Sequence, residues 1–277
     1  MRWSAHISWL FAELPYAERV GVARAAGFDV IETAWPEHVD ERAALIDAVA
    51  RQRAAARAER RRLDVALLNC PAGDTAQGER GFLNDPARRD EAEDALVAAI
   101  ELAGAIGARK LNVLVGRALS NTSESRQRAA VLAALRSFAP AAAGSGVQLV
   151  LEPINDRDFP GYLAPSADAV VELIEAAGDD SIRLLLDSFH LARAGVDPVA
   201  AIARHSQRIA HVQLSDLPAR GAPGTGTLDF AAIFDALAAS GYDGAVGLEY
   251  QPDGPTEAEL AAVTRLGEGY LPSLGGG

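Results

Sequence analysis

VQLVLEPIN, residues 147 to 155, decides how the rest of the chain is read. Val147, Leu149, Val150 and Leu151 make an apolar run of strand length; Glu152 follows at once, and Pro153 ends the extended pairing. A carboxylate placed there is costly to bury unpaired, so it stands at the mouth of a site or beside a cation. Three later runs repeat the design. RLLLDSFH (183–190) carries Asp187 and His190, AHVQLSD (210–216) carries His211, Gln213 and Asp216, and AVGLEYQP (245–252) carries Glu249.

Outward from these runs, apolar segments alternate with stretches of helical period along the whole chain. The spacing predicts strands near 6–11, 29–35, 63–69, 110–116, 147–152, 182–187, 209–216 and 244–250. Helical stretches such as EAEDALVAAIELAGAIG lie between them, with Gly27, Gly107, Gly144 and Gly241 as expected helix stops. Strands this uniformly apolar are buried on both faces, the mark of a parallel sheet. Eight strand–helix pairs favour an α/β fold consisting of a single (β/α)8 TIM barrel over an open sheet, spanning 1–270 and followed by a flexible tail, 271–277.

Bulk composition narrows the function. A formal charge of −12 argues against nucleic acid as the main partner. The basic run Arg60–Arg61–Arg62 reads as a solvated face at the negative end of a helix dipole. Cys70, the only cysteine, leaves no intramolecular disulfide and no thiolate cluster. With no secretory signal and no apolar run near membrane length, a soluble cytoplasmic protein is expected, as a monomer or a homo-oligomer. Lys110 is the sole lysine, the other 25 of the 26 basic residues being arginine. It opens its strand, opposite the carboxylates, which removes amine-based covalent catalysis from that end.

In a barrel of this kind the functional face lies at the C-terminal ends of the strands. The polar groups there are Glu32, Asn69, Glu152, Asp187, Gln213 and Glu249, with His190, Asp216 and Asn155 just beyond. Three close carboxylates repel unless protonated or bridged, so Glu152, Asp187, Gln213 and Glu249 are read as an oxygen-rich set for a divalent metal, Mg2+ or Mn2+. A small hydroxy-keto acid or sugar bound there would have a polarised carbonyl, and Glu152 and Glu249 could shuttle the adjacent proton. His190, Arg220, Asn69 and Asp216 are the expected substrate contacts, Arg220 as a carboxylate clamp. His211 fits a core role as well as a site role. Long loops at 70–86 and 217–229 leave this face, as lids or clamps would.

Several segments, in order, resemble the hydroxypyruvate isomerases and related 2-oxo-tetronate isomerases, among the xylose isomerase-like barrels. They are SWLFAELPYAERV (8–20), AGFDVIE (26–32), NCPAGDTAQGERG (69–81), LEPINDRDFPGY (151–162), DSFH (187–190), HVQLSDLPARGAPGTGTLDF (211–230) and GYDGAVGLEYQP (241–252). The resemblance implies a (β/α)8 fold, Glu152 and Glu249 as paired proton donor and acceptor, and metal ligation by Glu152, Asp187, Gln213 and Glu249. It also implies interconversion of hydroxypyruvate with tartronate semialdehyde. Thr75, Phe189, Ala219 and Thr227 depart from the family's pattern in the pocket-lining loops. The neighbouring readings on this barrel are a ketose 3-epimerase or inosose isomerase, usually with histidine where Gln213 stands, and a non-catalytic sugar-binding barrel. An abasic-site endonuclease would need several metals and many histidines, against 5 here.

Overall fold

The computed structural model describes residues 1–274. Eight parallel strands close in sequence order into one barrel: β1 (Arg2–His6), β2 (Val30–Thr33), β3 (Asp64–Asn69), β4 (Lys110–Asn112), β5 (Gln148–Leu151), β6 (Arg183–Asp187), β7 (Ile209–Leu214) and β8 (Ala245–Leu248). Helices cover it outside, among them α1 (Tyr16–Ala25), α2 (Val39–Ala58), α3 (Arg89–Ile106), α4 (Glu124–Gly144), α5 (Ala167–Ala177), α6 (Ser188–Arg193), α7 (Pro198–His205), α8 (Phe230–Ala239) and α9 (Thr256–Leu266). Among the described residues no helix is long and apolar enough to cross a membrane. α5 shows why the sequence folds so locally. Ser166 caps its start by accepting from the Ala169 N–H, Val170, Leu173, Ile174 and Ala177 bury one face, and Gly178 closes it in the left-handed region.

The main core fills the space between barrel and helices, with Trp3 edge-on to Phe234 at 5.8 Å. A smaller cluster of Leu67, Val150 and Leu185 lies inside the barrel. Its place follows from register: Leu67 is opposite Glu32, Val150 opposite Asn112, and Leu185 opposite His211, and laterally paired residues share a face. The same rule sets the polar layer above it, where His6 is opposite Glu32, Asp187 opposite Gln213, and Gln213 opposite Gly247.

Most strands stop a residue or two short of the sequence expectation at one end or both, and three boundaries differ for a visible reason. β1 runs over residues 2–6 rather than 6–11, because Trp3 and Ala5 supply the buried side chains and the chain turns directly after His6. β4 stops at Asn112 rather than 116, since Val113 and Val115 pack into the core from irregular backbone. Gly144 lies within α4, and Gly146 is the residue with positive φ that turns the chain out of it. Of the expected tail, Leu271 is buried against the core; residues 275–277 lie outside the described residues.

Candidate active site

The last residues of β5 to β8 carry the site. Glu152 follows β5, Asp187 ends β6, Gln213 lies in β7, and Glu249 follows β8. All four are buried, Glu152 and Glu249 retaining only 7% and 5% of their accessible surface. The Arg220 guanidinium joins two of them, its Nη2 donating to Asp187 Oδ2 and to Glu249 Oε2, both at 2.6 Å. Glu152 Oε2 accepts from Asn112 Nδ2 at 2.7 Å. Burial, reinforced by the other two carboxylates, pushes the Glu152 pKa well above its ordinary value near 4.5, with Arg220 and Asn112 opposing. Asp187 and Glu249 are also raised, first by burial, with Arg220 holding each partly down.

Arg220 reaches this position from a strained loop. Its backbone is left-handed at φ +58°, and its guanidinium carbon lies 4.6 Å from the Trp9 ring centre and 5.2 Å from that of Phe189. Burial would lower its pKa, but Asp187, Glu249 and Glu152 together raise it, so it stays charged. Its Nε is buried without a partner, a donor left over after the two carboxylates are served.

Two networks fix which atoms face the site. Asn155 Oδ1 accepts from the Asp158 N–H at 2.9 Å, and its Nδ2 lies 3.2 Å from the Asp158 carboxylate. Nδ2 therefore donates to His190 Nδ1 at 2.8 Å, which leaves the proton of the neutral imidazole on Nε2. That Nε2 lies 3.6 Å from Glu152 Oε1 and 3.9 Å from Asp187 Oδ2. Burial lowers the His190 pKa to about 4 and keeps the ring neutral near pH 7. In the second network Glu32 Oε2 accepts from Gln213 Nε2 and from His211 Nε2, both at 2.8 Å. Burial works to raise the Glu32 pKa, but His211, His6 and the Gln213 amide together hold it below the ordinary value. An ionised carboxylate only accepts, so the Gln213 amide must turn its NH2 to Glu32 and leave Oε1 free. Gln213 Oε1 is buried with no partner.

Glu152, Asp187 and His190 each offer an atom within 4.8 Å of the others, a group that could hold a divalent cation, and the unpartnered Gln213 Oε1 adds a free oxygen on the neighbouring strand. The tautomer leaves the His190 proton on Nε2, the ring atom on the side of Glu152 and Asp187.

The other expected contacts are placed differently from one another. Asn69 ends β3, and its Oδ1 is buried without a partner. Asp216 stands apart: its carboxylate accepts from the N–H groups of Leu217, Gly224, Gly226, Thr227 and Leu228 at 2.8–3.0 Å, so its oxygens hold the 217–229 loop in place of a substrate. A side chain at Gly226 would put its Cβ 1.6 Å from the Leu217 carbonyl oxygen, which gives the GTG run its reason. His211 serves Glu32 from the layer below. Two residues that sequence reading missed belong here. Asn112 holds Glu152, and His6 sets its Nε2 3.2 Å from Glu249 Oε1.

Comparison with known proteins agrees with the fold. The family model described as xylose isomerase-like TIM barrel matches residues 20–266. The chain is 33% identical to hydroxypyruvate isomerase of Escherichia coli over 260 residues, 94% of this chain and 97% of that one. It is likewise 33% identical to 2-oxo-tetronate isomerase of Cupriavidus necator, over 94% and 96% of the two chains. Among solved structures it is similar to a family 2 AP endonuclease from Brucella melitensis, with TM-score 0.84 and 30% identity over 94% and 97% of the chains. It is also similar to an L-ribulose 3-epimerase, with TM-score 0.71 and 29% identity over 95% and 86%.

Proposed function

The chain belongs to the xylose isomerase-like TIM barrel family and is an isomerase, and on that premise we propose that it interconverts hydroxypyruvate and tartronate semialdehyde, or a closely related 2-oxo-tetronate. The observation that carries the reading is the pair Glu152 and Glu249, two buried carboxyls of raised pKa at the ends of β5 and β8 with Asp187 and Arg220 between them. A carboxyl held above its usual range takes up and gives back a proton closer to neutrality than a free one does, which suits alternating base and acid.

In this reading one glutamate removes the proton from the hydroxyl-bearing carbon, giving a cis-enediolate, and the other returns a proton to the neighbouring carbon while the hydroxyl proton passes from the first oxygen to the former carbonyl oxygen. His190 donates from Nε2 to a substrate oxygen and steadies the charge that develops there. Arg220 meets the substrate carboxylate with its unpartnered Nε, and Asn69 Oδ1 is free to accept from a substrate hydroxyl. Glu152, Asp187, Gln213 and Glu249 would hold a divalent metal, Mg2+ or Mn2+, which would supply Lewis-acid polarisation of the carbonyl. The near-complete burial of the acids excludes water that would otherwise protonate the enediolate at random.

Similarity to the L-ribulose 3-epimerase favours, as a second reading, epimerisation of a ketose by the same two glutamates. The unclaimed Arg220 donor supports an acid over a neutral sugar. The deciding experiment is proton NMR in D2O of chelator-stripped protein with hydroxypyruvate, repeated after adding Mg2+ or Mn2+. Metal-dependent conversion with deuterium entering the carbon chain is expected. Inertness toward hydroxypyruvate and four-carbon 2-oxo acids, together with exchange at a free ketose, would replace the first reading with the second.

A further inference from the structure

At the opposite end of the barrel the charge reverses. Arg53 and Arg57 of α2, Arg60, Arg61 and Arg62 of the turn into β3, and Arg109 ahead of β4 line a cavity of about 570 Å3. Asp64 also lines it, but Arg2 engages that carboxylate at 2.8 Å. Arg61 is held by Asp29 at 2.8 Å, and Arg53 donates from Nε to the Leu63 carbonyl at 3.0 Å. Among the described residues Arg57, Arg60, Arg62 and Arg109 make no ion pair and no side-chain hydrogen bond, and all four are exposed.

Attraction to a helix C-terminus accounts for part of this cluster. Arg57 is in the last turn of α2, and Arg61 Nη2 reaches the Gly27 carbonyl that follows α1. It does not account for four guanidinium groups around one hollow with no acceptor of their own. Like charges so gathered repel: after burial, Arg57 and Arg109 are what lower the Arg53 pKa, against the pull of Asp64. The gathering is also against the trend of a chain with net charge −12. Backbone conformation contributes, since Arg60 is left-handed at φ +59° in the turn that presents the run.

We propose that this hollow is a binding site for a small anion bearing condensed phosphate, a diphosphate or triphosphate group. Guanidinium forks match phosphate oxygens in pairs, and neutralising four free arginines takes a ligand of several charges. No aromatic ring lines the hollow, so a nucleobase would have nothing to stack on and the phosphate chain itself is the recognised group. A long polyanion is disfavoured because the rest of the surface repels it.

Isothermal titration of the full chain with inorganic tripolyphosphate tests this, at about 0.1 M salt to screen diffuse attraction and without divalent metal, which tripolyphosphate would chelate. Saturable binding at one site is expected. Arg57→Ala and Arg62→Ala, exposed changes that leave the fold intact, should each weaken it about tenfold, the loss of one charge-assisted contact. The double variant Arg126→Ala/Arg128→Ala, on the exposed side of α4, should bind as the parent does. No saturable heat, or an equal loss in the α4 variant, would overturn the site. Equal affinity for citrate would overturn the phosphate class. Self-association that Arg57→Ala abolishes would show the hollow to be an interface between copies instead.

Discussion

At the mouth of the barrel Glu152, Asp187 and Glu249 are closed off around Arg220, whereas at its floor Arg57, Arg60, Arg62 and Arg109 stand in water, the one acid that lines their hollow, Asp64, being engaged by Arg2. Both ends concentrate one sign of charge, but only the mouth compensates it internally. Three buried acids share one guanidinium, an Asn112 amide and nearby imidazoles, so their protonation is set by burial first and then by neighbours a few ångströms away. The floor leaves compensation to solvent. A change at the mouth should therefore disturb chemistry, and stability too where it leaves a buried charge unpaired, whereas one at the floor should disturb neither.

The largest effect expected is on turnover. Glu249→Gln keeps shape and a hydrogen-bonding oxygen while removing the proton carrier, and should cost on the order of 10^3 in kcat. Circular dichroism and thermal melting should show the fold retained. Survival of most activity would break the assignment of Glu249 to proton transfer.

Next is Arg220→Ala, which strips the shared cation from Asp187 and Glu249. Denaturant unfolding near pH 7 should show a loss of about 3 kcal/mol, the order seen when one partner of a buried pair is removed. The deficit should shrink on acidification, because the carboxyls then take up protons, and also on adding Mg2+ or Mn2+. A deficit indifferent to both would mean that the loop, not charge, was what Arg220 held.

A third test follows the buried His6, whose pKa burial lowers to about 4 from 6.5. Between those values the unfolded chain binds the extra proton, so stability falls as pH drops through that window, by roughly 2 to 3 kcal/mol from this group. His6→Asn should flatten that limb of the stability–pH curve; an unchanged slope would remove His6 from the mouth's charge balance. Smallest of all, Arg57→Ala or Arg62→Ala should shift unfolding by less than about 0.5 kcal/mol and leave turnover as it was.

The barrel and its four mouth donors were legible because two simple periodicities, apolar strand runs and helical spacing, repeat eight times. What stayed hidden traces to strand ends. Reading the first strand as 6–11 put His6 at a strand's beginning, far from chemistry, when it is the last residue of β1. Reading the fourth as 110–116 buried Asn112 in mid-strand, when it is the terminal residue that holds Glu152. Apolar residues of the following loop, Ile7 and Leu10 in one case, Val113 and Val115 in the other, extend the pattern past the true end because the loop packs on the core too. Asp216 shows a different limit. A carboxylate beyond a strand end looks the same in sequence whether it meets a substrate or five amides of its own loop. The arginine hollow draws on three separated stretches, 53–57, 60–62 and 109, so only the fold assembles it.

The Asp216 carboxylate gives the 217–229 segment a backbone anchor of its own, since the anchor and the amides it holds are close together in the chain. Such a segment can be inherited or exchanged as one cassette. A relative's loop grafted between β7 and α8 carries its own fastening if residue 216 travels with it, and new substrate preferences can arise there so long as Arg220 still meets Asp187 and Glu249. Position 216 is therefore a natural seam for recombination on this scaffold.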